Sequence, residues 1–141
     1  MDATYVASAV SKGGRTGHVR SGEGHIDLDV RVPQELGGPG GATNPEELFA
    51  AGYASCFLSA LGLLAAKREI DTSEATVEAD VGLDVAGGFQ LKVELVVRMP
   101  GVDRAMAEKL VARAHQVCPY SRATRGNIDV QLTVAEPVAA A

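Results

Sequence analysis

The chain has 141 residues, 46% hydrophobic and 22% charged, enough apolar material to build one ordinary domain and too much for a disordered chain. Aromatic residues make up only 4% and Trp is absent, so Val, Leu, Ile and Ala must fill the core. The net charge of -5 and the scattered Lys and Arg exclude a nucleic-acid surface, which needs clustered cations. The first ten residues, MDATYVASAV, lack a basic segment followed by a long apolar run, so no secretory signal is read. A cytoplasmic compartment that keeps thiols reduced is therefore expected for the two cysteines, Cys56 and Cys118. Two cysteines are too few for a disulfide-stapled scaffold.

In chain order, loose alternation over Thr4–Val10 predicts a strand, and the Gly-rich GGRTGHVRSGEG that follows predicts turns or a hairpin. His25–Val32, HIDLDVRV, alternates strictly, with Ile26, Leu28, Val30 and Val32 on one face, and predicts a half-buried strand. PQELGGPGGATNPEE is too rich in Gly and Pro for a regular element and reads as a loop of the kind that hosts functional groups. Asn44-Pro45-Glu46-Glu47 is a helix start: Asn44 as cap, Pro45 in the first position, Glu47 at capping-box spacing, acids toward the positive end of the helix dipole. The helix is expected to run to about Lys67 or Arg68. Thr76–Val85 and Phe89–Met99, joined through Gly87-Gly88, predict a hairpin with Val77, Val81, Leu83 and Val85 facing Leu91, Val93 and Leu95. Asp103 can cap a second helix through Val117, with Met106, Leu110, Ala114 and Val117 as its apolar stripe, and Pro119 is expected to stop it. Asn127–Val134 predicts a last strand, and the tail 135–141 is expected to fray. The order implies one α+β domain over residues 1–141, with largely antiparallel sheet.

Leu48–Ala66 carries no charge over 19 residues, which meets the length rule for a membrane span. Its Ala, Gly, Ser and Tyr content lowers its hydropathy, and the rest of the chain is patterned as a soluble domain. A helix buried all round, by sheet or by a partner subunit, is the expected reading, with no membrane partner. Cys56 sits in the middle of this stretch. By itself such a cysteine reads as a small buried hydrophobe, far from the helix N-terminus that would acidify it. His115 and Cys118, three apart, together with Cys56, His18 and His25, could supply metal ligands, but no clustered pair-of-pairs spacing is present and no metal site is expected. There is no GxSxG elbow, and GGPGG lacks the Lys and Ser/Thr of a phosphate loop.

Four stretches carry more than periodicity: GGRTG at Gly13–Gly17, ELGGPGGATNPEELFAAGYASCF at Glu35–Phe57, HQVCPYS closing the second helix, and ATRGNIDV at Ala123–Val130. Together they resemble the organic hydroperoxide resistance branch of the OsmC/Ohr superfamily of thiol peroxidases, from about Tyr5 to Val134. The resemblance implies an OsmC-like fold of mostly antiparallel sheets around two main helices in an intertwined homodimer. It implies Cys56 as peroxidatic cysteine, Cys118 as resolving cysteine, Arg15 as catalytic arginine and Glu46 as its carboxylate partner. It further implies organic hydroperoxides as substrates, a Cys56–Cys118 disulfide as intermediate, no bound cofactor, and dihydrolipoamide on a lipoylated protein as reductant. Arg122 departs from the family, which tends to have a short polar residue there.

The chemistry agrees with these residue types. A free thiol is only a few per cent thiolate at neutral pH, and burial reduces that further. A guanidinium beside the sulfur reverses the effect, and a carboxylate can orient it. Phe49, Tyr53, Phe57 and Leu61 are expected against the apolar tail of the peroxide. Glu46 and Cys56 lie ten residues apart on one predicted helix, about 15 Å along its axis, so a second subunit is expected to complete each site. Two other readings share the cysteines: an OsmC-type peroxidase of broader specificity, and a non-enzymatic dimer that senses redox state or binds a ligand.

Overall fold

A computed structural model of the chain describes residues 1–137 and divides it into two compact units, Met1–Leu48 and Phe49–Ala141. In the first unit, β1 (Ala9–Lys12), β2 (His18–Ser21) and β3 (Asp27–Asp29) form an antiparallel sheet in the order β1-β2-β3. The predicted strand at Thr4–Val10 is shorter and later, at Ala9–Lys12. Its partner β2 ends at Ser21, paired with Ala9, and the chain turns at Gly22, whose N–H donates to Ser8 O. Among the described residues of the single chain, Thr4–Val6 pair with no strand. The tip between β1 and β2 is a 3-10 turn at Gly14–Thr16. A Cβ on Gly17 would stand 1.7 Å from Lys12 O, so only glycine closes this tip. The alternation HIDLDVRV forms only three strand residues. Val30 is buried and bridges to Thr43, while Ile26 and Leu28 remain exposed at 40% and 42%.

The long helix α1 (Pro45–Ala66) starts as predicted: Glu47 N–H donates to Asn44 Oδ1 at 2.9 Å. The reciprocal half of the capping box does not form, because Glu47 Oε1 instead accepts from Thr43 Oγ1 at 2.9 Å. Within the single chain, burial of α1 is confined to one side. Tyr53, Phe57, Ala60, Leu61 and Ala65 form one buried stripe at helical spacing, while Ala51, Ser55, Ser59 and Leu63 on the other side are exposed, Leu63 at 71%. By length and composition α1 could cross a bilayer, with a mean hydropathy of 1.8 over 18 residues; its buried stripe is instead part of the second unit's core.

That unit contains β4 (Thr76–Asp84), β5 (Gln90–Arg98), α2 (Arg104–Val117), α3 (Pro119–Thr124) and β6 (Val130–Val134). The predicted hairpin is present in register, Val77 opposite Val97, Val81 opposite Val93 and Leu83 opposite Leu91. β6 joins the other edge of β5 in parallel, so the sheet is mixed. A parallel neighbour needs a crossover, which α2 and α3 supply. Pro119 ends α2 as expected but also starts α3, a helix that the sequence reading missed. Asp103 Oδ2 accepts from Met106 N–H and caps α2. The buried stripe of α2 is Ala107, Leu110, Val111 and Ala114 rather than Met106, Leu110, Ala114 and Val117; the alanines allow close packing, and Val117 is 37% exposed. The core joins these residues to the α1 stripe, to Val93, Leu95 and Val97 of β5, and to Cys118. At the C-terminal end, Ala135 N–H donates to Val97 O and Arg104 pairs with Glu136; residues 138–141 of the tail expected to fray lie outside the described residues.

Candidate active site

The second unit brings the two cysteines together. Cys118 lies between α2 and α3, capping both, with φ -61 and ψ 125, and its sulfur is fully buried. Cys56 is half-buried on α1. Both thiols are free, and Cys118 Sγ stands 3.6 Å from Cys56 Sγ. A disulfide needs about 2.0 Å, so closure asks the sulfurs to approach by roughly 1.5 Å. Burial pushes the Cys56 thiol up. The backbone N–H of Tyr120, in the first turn of α3, opposes this by hydrogen-bonding the sulfur, and the neighbouring Cys118 raises it again. Within this unit the group that favours the thiolate is therefore an amide.

The first unit holds the arginine–carboxylate pair. Arg15 sits on the 3-10 turn at the hairpin tip, and Glu46 lies in the first turn of α1. Arg15 Nη1 donates to Glu46 Oε2 at 2.9 Å and Nη2 to Oε1 at 2.6 Å, a two-pronged contact that fixes the guanidinium plane. Hydrogen bonding to Arg15 holds the Glu46 carboxyl below the usual range, and Arg15 is correspondingly raised. Glu46 is 14% exposed and Arg15 40%, so the pair is partly screened by water. Because α1 is unbroken from Pro45 to Ala66, Glu46 and Cys56 keep their separation of about 15 Å along the axis.

Of the four residues expected against a substrate tail, Phe49 lines a cavity of about 760 Å³, together with Phe89, Leu91, Tyr120 and Ile128. Tyr53, Phe57 and Leu61 have no exposed surface and belong to the core. Tyr120 packs edge-on to Phe49 and tilted against Tyr53, with ring centroids 6.1 and 5.7 Å apart. Gly52 makes room for it: a Cβ there would lie 2.7 Å from Tyr120 Oη. Phe89, 72% exposed, holds the left-handed φ of 63° at the tip of the β4–β5 hairpin. The sequence reading did not single out Tyr120, Phe89 or the hydroxyls of Ser121 and Thr124. The VCPYS stretch was the available signal for Tyr120 and Ser121; nothing local marked Phe89. Arg122 is exposed on α3. Among the described residues no group of three or more His, Cys, Asp or Glu is placed to hold a metal ion.

Residues 38–133 match the model of the OsmC-like proteins. The chain belongs to the OsmC/Ohr superfamily. It is 49% identical over 134 residues to the organic hydroperoxide resistance protein of Xanthomonas axonopodis pv. citri, covering 93% of this chain and 94% of that protein. The crystal structure of an organic hydroperoxide resistance protein from Legionella pneumophila superposes with a TM-score of 0.89 at 48% identity, over 95% of this chain and 99% of the other. That of OhrB from Bacillus subtilis gives 0.85 at 43% identity, over 94% and 100%.

Proposed function

We propose that the protein is a thiol peroxidase that reduces organic hydroperoxides to alcohols and protects against them. The observation that carries this reading is the 3.6 Å contact between two free thiols, one half-buried and one fully buried. The Cys56 thiolate attacks one oxygen of the O–O bond; the bond breaks, the alkoxide leaves and takes a proton, and Cys56 becomes a sulfenic acid. Cys118 thiolate then attacks the Cys56 sulfur, the S–O bond breaks, hydroxide leaves and takes a proton to become water, and a disulfide forms. A dithiol restores both thiols by exchange, becoming the oxidised partner; dihydrolipoamide on a lipoylated protein is the proposed donor. The names of the relatives support organic hydroperoxides as substrates, and the apolar cavity lined by Phe49, Pro119 and Tyr120, the last two following Cys118 in sequence, is consistent with an alkyl or acyl tail.

Arg15 supplies the cation that the buried Cys56 needs, and Glu46 orients it. Support for a homodimer comes from two features of the single chain: the separation of Glu46 from Cys56 along α1, and the exposed apolar side of α1 around Leu63. In this reading the two units form one OsmC/Ohr domain, intertwined with that of a second subunit in the cytoplasm, and Arg15 and Glu46 of one subunit serve Cys56 of the other. The test is steady consumption of cumene hydroperoxide, a fatty-acid hydroperoxide and hydrogen peroxide with dihydrolipoamide, run in parallel. Preference for the two organic substrates, lost in Cys56→Ser, is expected. Equal turnover of all three would favour the broader OsmC-type activity, and oxidation without turnover would favour a redox-sensing dimer.

A further inference from the structure

Behind the cysteines lies a chain of buried hydrogen bonds that joins three helices. His115 Nδ1 is 2.8 Å from Ser121 Oγ, Ser121 Oγ is 2.8 Å from Tyr53 Oη, Tyr53 Oη is 3.2 Å from Thr124 Oγ1, and Thr124 Oγ1 is 3.2 Å from the Ser121 carbonyl. Tyr53 and Ser121 have no exposed surface, and Thr124 is 6% exposed. The direction of the protons follows from counting donors. A carbonyl only accepts, so Thr124 gives it the one hydroxyl proton it has. Thr124 oxygen must then accept from Tyr53, Tyr53 oxygen from Ser121, and Ser121 oxygen from His115. No other arrangement satisfies all four contacts. His115 thus carries its proton on Nδ1, and it donates there whether the ring is neutral or charged.

The positions of these residues relative to the cysteines matter more than their number. His115 stands three residues before Cys118 and Ser121 three residues after it, so the bond between them straddles the cysteine. Tyr53 stands three residues before Cys56. Cys118 itself is an extended residue between two helices, and α3 has no side-chain cap of its own. What holds α3 to α2 across this joint is the His115–Ser121 bond, together with Arg125 Nη1 donating to His115 O at 3.0 Å. Burial, and then the charge of Arg125, disfavour the charged form of His115.

We propose that His115 and Ser121, tied through Tyr53 to the helix that bears Cys56, are positioning residues that hold Cys118 for attack on Cys56. The clasp sets both the rate of disulfide closure and the reduction potential of the pair. This rests on the peroxidase reading for its kinetic half only. The test uses the full-length protein with Ser121→Ala, His115→Leu and His115→Asn; asparagine keeps a donor where Nδ1 stands, and leucine does not. The potential is read by equilibrating the cysteines with dithiol–disulfide buffers and counting trapped thiols by mass spectrometry. A tenfold loss of closure equilibrium, about 30 mV toward easier reduction, is expected for Ser121→Ala and His115→Leu, and near wild-type behaviour for His115→Asn. Stopped-flow oxidation with one equivalent of cumene hydroperoxide should show closure slowed about tenfold in the same two variants, with the first oxidation of Cys56 unchanged. Potentials and closure rates of both variants within twofold of wild type overturn the clasp, as does His115→Asn behaving like His115→Leu. If His115→Leu does not fold, Ser121→Ala, which removes one oxygen, decides alone. Failure of wild-type Cys56 to react with peroxide would overturn the peroxidase reading and leave the potentials to judge the clasp.

Discussion

Two glycines on one helix allow the effect of packing at Tyr120 to be separated from helix propensity. Gly52 and Gly62 both lie inside α1, and replacing either by alanine should gain about 0.5–1 kcal/mol from reduced backbone freedom in the unfolded chain. Their surroundings differ. A Cβ on Gly62 meets only Thr72 Oγ1 at 3.5 Å, an ordinary contact. A Cβ on Gly52 would stand 2.7 Å from Tyr120 Oη and 3.1 Å from Cε2 and Cζ, so the ring must move away from α1. It would then loosen its contacts with Phe49 and Tyr53, each worth about 0.5–1.5 kcal/mol beyond area burial. Gly62→Ala is therefore expected to stabilise the protein, and Gly52→Ala to be about 1–2 kcal/mol less stable than Gly62→Ala. Urea unfolding at one fixed protein concentration measures the difference without any assumption about propensity. Displacing Tyr120 also disturbs the N–H that faces Cys56, so Gly52→Ala alone should slow Cys56 oxidation by hydroperoxide. Equal stability of the two variants, with unchanged oxidation in both, would refute the claim that Gly52 is kept bare for Tyr120.

Arg15→Lys keeps a charge but loses the fork on Glu46; peroxidase activity should fall about 100-fold while urea unfolding changes by less than about 1 kcal/mol, as for a partly exposed pair. Retained activity would reduce Arg15 to a point charge. His115 has a folded pKa below its unfolded value of about 6.5, so its neutral form stabilises the fold fully above that pH, and stability is lost as pH falls toward the folded value. His115→Asn should flatten the stability profile below pH 6.5 in stepwise urea titrations, and an unchanged slope would count against a buried neutral ring. Phe89→Gly should cost no stability, because it relieves about 1–2 kcal/mol of left-handed strain and removes a largely exposed side chain, yet raise KM for long-tailed hydroperoxides. Equal KM values for long and short substrates would exclude Phe89 from the tail's path. Leu63→Glu, at a site 71% exposed in the single chain, should leave the fold intact and shift sedimentation toward monomer; an unchanged dimer would mean that the α1 face is not covered.

Local signals served well where the governing interaction is local. The Asn44-Pro45 start, the Asp103 cap and the Gly87-Gly88 hairpin are read from neighbouring residues and appear as expected. They failed where a distant partner decides. Thr4–Val6 alternate like a strand but pair with none among the described residues of the single chain, because β2 is only four residues long. Pro119 ends α2 as its missing N–H requires, but its fitness for the first turn of a new helix depends on the crossover to β6, which no local pattern announces. On α2 the predicted stripe is rotated: Leu110 and Ala114 are shared, but Ala107 and Val111 are buried with them in place of Met106 and Val117, because the partners α2 packs against set its buried face.

The site was legible in a different way. Periodicity alone made Cys56 an inert packing residue, and its immediate surroundings still raise its pKa. Sequence motifs implied Cys118 and Arg15 as its partners, and the first is seen 3.6 Å away. The second raises a physical question that residue identity could not pose. Arg15 and Glu46 together carry almost no net charge, so the pair acts weakly as a field and strongly as a set of aimed donors. With one N–H from each Nη committed to Glu46, the guanidinium retains three, all in a plane that the carboxylate fixes. Such an array suits a thiolate or a peroxide oxygen that accepts from a defined direction better than it suits long-range attraction. In the proposed reading, the fork adds aim to the charge that Arg15 brings to Cys56.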